Sequence, residues 1–304
     1  MSSGSLAAAL SAGPIVLDGG LATQLAAAGH DLSDHLWSAR LLHDEPEAIV
    51  DAHLAFLRAG AQVVITASYQ ATYDGFAKIG LDDAAVTALL RRSVTLARQA
   101  RQRASDAGIG GPLWIAASVG PYGAMLADGS EYRGGYGLSV TELVRFHRRR
   151  MQVLADAGAD VLALETVPDA AEAEAMLRVV EELGMPAWLS YTIDGVHTRA
   201  GQPLDEAFRL AAGMDDVVAV GVNCSAPGDI APAVAIGARA GDKAVVVYPN
   251  SGERWDAATR SWTGEAGWGA QPVDSWIGAG ARLVGGCCRV TPAHIADLAM
   301  RLRA

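Results

Sequence analysis

A helical stretch that stops at a glycine and gives way to a short β-branched run recurs along this chain. It is plain in LAFLRAGAQVVITASYQ, QVLADAGADVLALETVP, VVEELGMPAWLSYTIDG and GAGARLVGGCC. Glycine just past a helix relieves the left-handed turn that ends it. The apolar run that follows has strand length and reads as a parallel strand buried on both faces. Eight such runs occur: IVLDGG, QVVITAS, LWIAASVG, DVLALET, AWLSYT, VVAVGVNCS, AVVVYPNSG and RLVGGCC. Helical patterns lie between them, among them EPEAIVDAHLAFLRAG, DDAAVTALLRRSVTLARQARQRA and SVTELVRFHRRRMQVLADAG. Asp and Ser open the last two as N-caps. Eight strands alternating with helices predict an α/β fold, a (β/α)8 TIM barrel, as a single domain over residues 1–304. The rival, a doubly wound open sheet, lacks its phosphate-binding fingerprint, because GIGGP precedes a strand instead of following one. Residues 1–13 are expected to form a loose arm, and RFHRRRM the solvated face of a helix.

The net charge of −10 argues against nucleic acid or an anionic membrane surface as the main partner. No apolar run reaches transmembrane length, and the N-terminus lacks the basic start of an export signal. Three cysteines, an odd number, make no disulfide framework. A reducing compartment, the cytoplasm, is therefore expected, with thiols free for metal or catalysis. A monomer and a homo-oligomer are equally compatible with this sequence.

Active sites of such barrels lie at the C-terminal ends of the strands. The residues there are polar: Asp18, Gly19 and Gly20 on the first strand, Thr66 and Ser68 on the second, Glu165 and Thr166 on the fourth. Asn223 and Cys224 end the sixth, Tyr248 and Asn250 the seventh, Cys287 and Cys288 the eighth. All three cysteines thus fall on one rim. Three thiolates with no fourth cysteine form a metal site with an exchangeable position, and Zn2+ is the expected ion. A vicinal disulfide between Cys287 and Cys288 is disfavoured, because adjacent Cα atoms are only about 3.8 Å apart. Three thiolates leave zinc electron-rich, which suits activation of a substrate thiol for alkylation better than hydrolysis. Asp18 and Glu165 are placed to hold the ammonium of an amino acid, although position alone suits capping or salt-bridged carboxylates equally well. Amides of Gly19 and Gly20 are expected to receive a carboxylate. Aromatic and acidic residues of PYGAMLADGSEYRGGYG and SGERWDAATRSWTGEAGW either meet a cationic methyl donor or simply pack the loops.

Taken in order, DGG, TASYQA, SVGPYGAMLADGSEYRGGYG, ETVPD, GVNCS, YPNSGERWD and GGCCRVTP resemble the homocysteine S-methyltransferase family over nearly the whole chain. The third of these is most similar to the branch using S-methylmethionine or S-adenosylmethionine. The resemblance implies a zinc-dependent barrel that methylates L-homocysteine to methionine. It implies Cys224, Cys287 and Cys288 as zinc ligands, Asp18 and Glu165 at the homocysteine amino group, and the amides around Gly19 and Gly20 at its carboxylate. The continuation NCSAPGDI departs from the family's usual run and leaves the loop contacts at 225–228 open. Alternatives are betaine or a methylcobalamin partner as donor, selenocysteine as acceptor, and, in another class, a zinc or redox sensor.

Overall fold

The computed structural model describes residues 4–32, 38–256, 261–268 and 272–303. Eight parallel strands form one sheet: β1 Ile15–Val16, β2 Val63–Ile65, β3 Trp114–Val119, β4 Val161–Val167, β5 Ala187–Tyr191, β6 Val217–Asn223, β7 Ala244–Tyr248 and β8 Ala281–Val284. β1 pairs with β8 at one side, and a parallel bridge between Leu17 and Val63 joins it to β2 at the other. Asp18 N–H donates to Val63 O (3.0 Å) and Gln62 N–H to Val16 O (2.8 Å), so the barrel closes. Two short antiparallel hairpins, Ile193–Asp194 with His197–Thr198 and Arg254–Asp256 with Ser261–Thr263, lie outside it.

Side chains alternate faces along a strand, and the alternation sorts two cores. Outward residues such as Ile115, Leu162, Leu189 and Val247 meet the buried faces of the helices. Inward residues fill the barrel. Near its base these are Trp114, Val161 and Trp188, followed by Ala116, Ala163 and Ala219. The next inward position up is Ser118, Glu165, Ser190 and Asn223, all buried. The interior thus changes from apolar to polar toward the C-terminal ends of the strands, which is where ligands bind in this fold. Gly221 on β6 is required inside: a Cβ there would overlap the backbone of Val246.

Helix signals behave as the sequence predicts. Asp82 caps Asp83–Asp106 by accepting from Ala85 N–H (2.8 Å), and Ser139 forms a capping box with Glu142 at Val140–Asp156. Two expectations are corrected. Residues 6–12 are not loose: they form helix Leu6–Ala12, capped by Ser5, with Leu6 and Leu10 each 4% exposed against the barrel base. Two leucines four apart suffice to dock one helical face. RFHRRRM is also only half solvated, because the i, i+3 pair His147 and Arg150 turns inward. His147 Nε2 meets Glu172 Oε1 at 2.8 Å, Arg150 Nη2 meets His147 Nδ1 at 2.8 Å, and Arg150 also donates to Gly120 O. Tyr122 N–H donates to Glu172 (2.5 Å), so this buried cluster braces the loop that follows β3.

His53, in helix Pro46–Arg58, is 0% exposed, and neither ring nitrogen has a partner among the described residues. Burial lowers its pKa from 6.5 to about 4. Between these values the unfolded chain binds the proton and the folded chain does not, so stability falls as pH drops from about 6.5 toward 4. Replacing His53 by leucine is expected to flatten this acid limb, with a gain on the order of 3 kcal/mol near pH 4. Unfolding midpoints across that pH range check it.

Candidate active site

Asp18 follows β1 and is 1% exposed. Ile65 N–H donates to its Oδ2 (2.8 Å), while Oδ1 is buried with no partner among the described residues. Burial holds its carboxyl well above the usual range, and the nearby Glu165 adds to this. Glu165, at the end of β4, is 7% exposed. Burial raises its pKa to about 7 against hydrogen bonds from Ser118 and Tyr248, which lower it. Two buried acids thus act on one another, and among the described residues no salt bridge offsets either of them. An ammonium group would supply the missing charge and let both ionise.

The expected carboxylate cradle is corrected in part. Gly20 N–H already donates to Val290 O (2.9 Å) and is no free donor. Gly19 N–H has no partner among the described residues. Both glycines are needed for packing. A Cβ on Gly19 would sit 2.5 Å from Val290 O, and one on Gly20 2.6 Å from Cys287 O.

The GGCC segment has a similar origin. A Cβ on Gly285 would lie 2.5 Å from Leu17 Cβ, and one on Gly286 would overlap Val290. The two glycines let the chain leave β8 pressed against β1. Gly286 N–H donates to Asp18 O (3.0 Å), Cys287 N–H to Pro249 O (2.8 Å) and Cys288 N–H to Asn250 Oδ1 (3.2 Å). Both cysteines are then turned toward Cys224.

Cys224 sits just past β6 with φ +46°, and Thr166 near the end of β4 has φ +58°. Left-handed backbone in non-glycine residues is strained and concentrates at functional sites. Asn223 braces both turns. Its Oδ1 accepts from Thr166 N–H (2.7 Å) and Ser190 Oγ (2.8 Å), and its Nδ2 donates to Thr166 Oγ1 (2.7 Å). Replacing Asn223 by alanine is expected to cost about 3 kcal/mol of stability, since it strands buried partners. Turnover should fall as well, because Glu165 and Cys224 adjoin the braced turns. Urea unfolding and steady-state kinetics read the two effects.

The three cysteine sulfurs lie within 4.8 Å of one another. Cys224 and Cys287 are joined as a disulfide across β6 and β8, with Cα atoms 5.5 Å apart, and Cys288 is a free thiol. The sequence reading expects three free thiolates; the structure brings the three together with two of them paired. The vicinal alternative is not formed. A spacing of 5.5 Å suits a disulfide, unlike that of adjacent residues. Burial pushes the Cys288 thiol up to about 12, with Glu131 and Glu165 adding to the shift. Such a sulfur is a thiolate only beside a strong cation. Sulfurs around tetrahedral zinc stand roughly 3.8 Å apart, from a Zn–S bond of about 2.3 Å. With the disulfide reduced, the donor set therefore fits a zinc ion.

Of the two aromatic loops, residues 257–260 lie outside the described residues. Trp268 packs on Trp276 and His294, and Tyr122 packs on Tyr136 and Phe146, so these rings serve loop packing. Asn223 and Tyr248, read from the sequence as polar strand ends without an assigned role, adjoin the two acids and the cysteines, and Ser118, not among those rim residues, joins them. Their inward period-two positions at strand ends were the available signal.

Fold and site together define a (β/α)8 barrel that gathers three cysteine sulfurs and two buried acids at the C-terminal ends of its strands. The model of the family "Homocysteine S-methyltransferase" matches residues 15–302, and the chain belongs to that family. It is 48% identical over 293 residues to the homocysteine S-methyltransferase of Escherichia coli (strain K12), covering 94% of each chain. The crystal structure of the E. coli homocysteine methyltransferase MmuM in its metallated form superposes with TM-score 0.86 at 46% identity, over 95% of this chain and 96% of that one. The oxidized form of the same protein gives 0.85 at 46% identity, over 96% of each. Among the described residues, no helix is long and apolar enough to cross a membrane.

Proposed function

We propose that this homocysteine methyltransferase uses a sulfonium donor, S-methylmethionine or S-adenosylmethionine, and makes methionine with the help of zinc. The observation that carries this reading is the convergence of three cysteine sulfurs, within 4.8 Å, with two buried acids at one barrel mouth. Cys224, Cys287 and Cys288 would hold Zn2+, which when bound supplies thiolate at neutral pH by lowering the pKa of a thiol. A reducing cytoplasm keeps the three cysteines available for it.

Asp18 and Glu165 bind the homocysteine ammonium and become ionised as they do so. Gly19 N–H meets its carboxylate, while the Gly20 amide stays with Val290 and fixes the turn. Held at both ends, homocysteine points its thiol at the sulfur cluster. The thiolate attacks the donor's methyl carbon in line, and the electron pair of the broken bond stays on the donor sulfur. An anion and a cation become two neutral thioethers, so a dry, walled site favours the reaction over water.

Zinc-loaded, reduced protein is expected to form methionine from L-homocysteine with at least one sulfonium donor, and chelation is expected to stop it. Turnover that survives removal of the metal, or no methionine from either donor, would overturn this reading.

A further inference from the structure

A third acid faces the same space and has no task so far. Glu131 lies in the short 3-10 turn Ser130–Tyr132, on the loop between β3 and helix Val140–Asp156, and this turn packs against β4. It is 4% exposed, and its Oε2 is buried without a hydrogen-bond partner among the described residues. Its placement is fixed from both sides. Ser130 N–H donates to Asp128 Oδ1 (2.9 Å) and Arg133 Nη2 to Ser130 Oγ (2.8 Å). Gly123 packs so closely that a Cβ would stand 2.5 Å from Glu131 N.

Burial raises its carboxyl above the usual range, and the charge of Arg133 offsets this only in part. Arg133 is engaged with Ser130 and with Asp128 (3.6 Å), and Arg199 lies 6.0 Å from the Tyr132 ring centre. On top of burial, the charge of Glu131 pushes up the Tyr69 and Tyr132 hydroxyls and the Cys288 thiol, so it acts on two aromatic residues and on the sulfur cluster. A buried carboxylate left unpaired is costly, and folding gives no reason to keep it. A carboxylate with tyrosines near it is, however, a good site for a soft cation.

We infer that Glu131, next to Tyr132 on this turn, is the counter-charge that receives the sulfonium of the methyl donor and sets the preference for a charged donor. This rests on the sulfonium-donor reading of the site. Asp18 and Glu165 are matched by the single ammonium of homocysteine, which leaves Glu131 for the second substrate. Its place on the loop after β3, and not on a barrel strand, sets it apart from Asp18 and Glu165. The donor's S–CH3 bond breaks with its electron pair kept by the donor sulfur, and the methyl joins the homocysteine sulfur, whose proton has gone to solvent. The leaving thioether is neutral. Glu131 therefore holds the substrate and releases the product, and it acts on donor capture more than on the chemical step.

The test compares S-methylmethionine with 2-amino-5-methylhexanoate, which has the same shape with a neutral C–H in place of the sulfonium. Binding of each to zinc-loaded protein without homocysteine is measured by calorimetry. Wild type is expected to prefer the sulfonium by about tenfold or more, and Glu131→Gln to reduce this to about twofold or less. Glu131→Asp, which keeps the charge, should retain most of the preference. In turnover, Glu131→Gln should raise the donor KM about tenfold, with kcat and the homocysteine KM nearly unchanged. Thermal unfolding confirms that the variant is folded, and it should unfold at or above wild type, since an unpaired buried charge has gone. The inference is overturned if wild type shows no preference, if Glu131→Gln keeps it, if the Asp variant behaves like Gln, or if the homocysteine KM rises as far as the donor KM. Should no sulfonium yield methionine while the binding preference and its loss persist, the transfer reading fails and the assignment of Glu131 stands.

Discussion

Alanine at Cys224, Cys287 or Cys288 is expected to lower methionine formation by about a thousandfold or more, each substitution alone sufficing. The sulfurs share one locus, all within 4.8 Å, and no other group of three or more histidine, cysteine or acidic residues among the described residues is placed to hold a metal ion. A zinc ion left with two thiolates loses a quarter of its usual coordination shell, and with it the pull that ionises the incoming thiol. A free thiol near its ordinary pKa of about 8.5 is only a few per cent ionised at neutral pH. Metal analysis after gel filtration supplies the second readout, with zinc content expected to fall from one ion per chain to well below one. An alanine variant that keeps full activity and full zinc would remove that cysteine from the ligand set.

Glutamine at Glu165 is expected to raise the homocysteine KM about a hundredfold while changing kcat far less. In the proposed complex this buried carboxylate meets the homocysteine ammonium, and a charge-assisted contact of this kind is worth about 2–3 kcal/mol. Asn at Asp18 should act in the same direction. The double variant should fall short of the product of the two, because both acids address one cation. The pH dependence has a definite sign. In the empty pocket Glu165 holds its proton up to about pH 7. Binding an ammonium requires that proton to leave, so the homocysteine KM should fall as pH rises from about 6 to 8. Glu165→Gln should flatten that slope. Steady-state kinetics over this range decides it, and an unchanged slope in the variant would assign the titration elsewhere.

The barrel was legible because each strand is an apolar run with a polar residue at its end. In this fold the last inward residue of a strand is also the one that meets the ligand. Asp18, Glu165 and the three cysteines could therefore be placed on one rim from the sequence, and the structure brings the cysteines together there and the two acids near each other. What was hidden depends on backbone direction and on tertiary partners. Nothing in ETVP or NCSA announces that Thr166 and Cys224 adopt positive φ, since that requires Asn223 to reach across from β6 to β4. The engagement of the Gly20 amide by Val290 is set by a residue 270 positions along the chain. The pairing of Cys224 with Cys287 joins residues 63 apart, at the ends of two strands that have β7 between them. In RFHRRRM, composition hid a burial pattern that the i, i+3 spacing of His147 and Arg150 contained.

Helix Leu6–Ala12 closes the base of the barrel, and Trp114 Nε1 donates to Gly4 O (3.0 Å) just ahead of it. The reacting groups all sit at the opposite end of the strands. A linker attached ahead of Gly4 would hold the molecule by its shut end. Fixed to a bead or an electrode in this way, every copy would present its open end to the flowing solution.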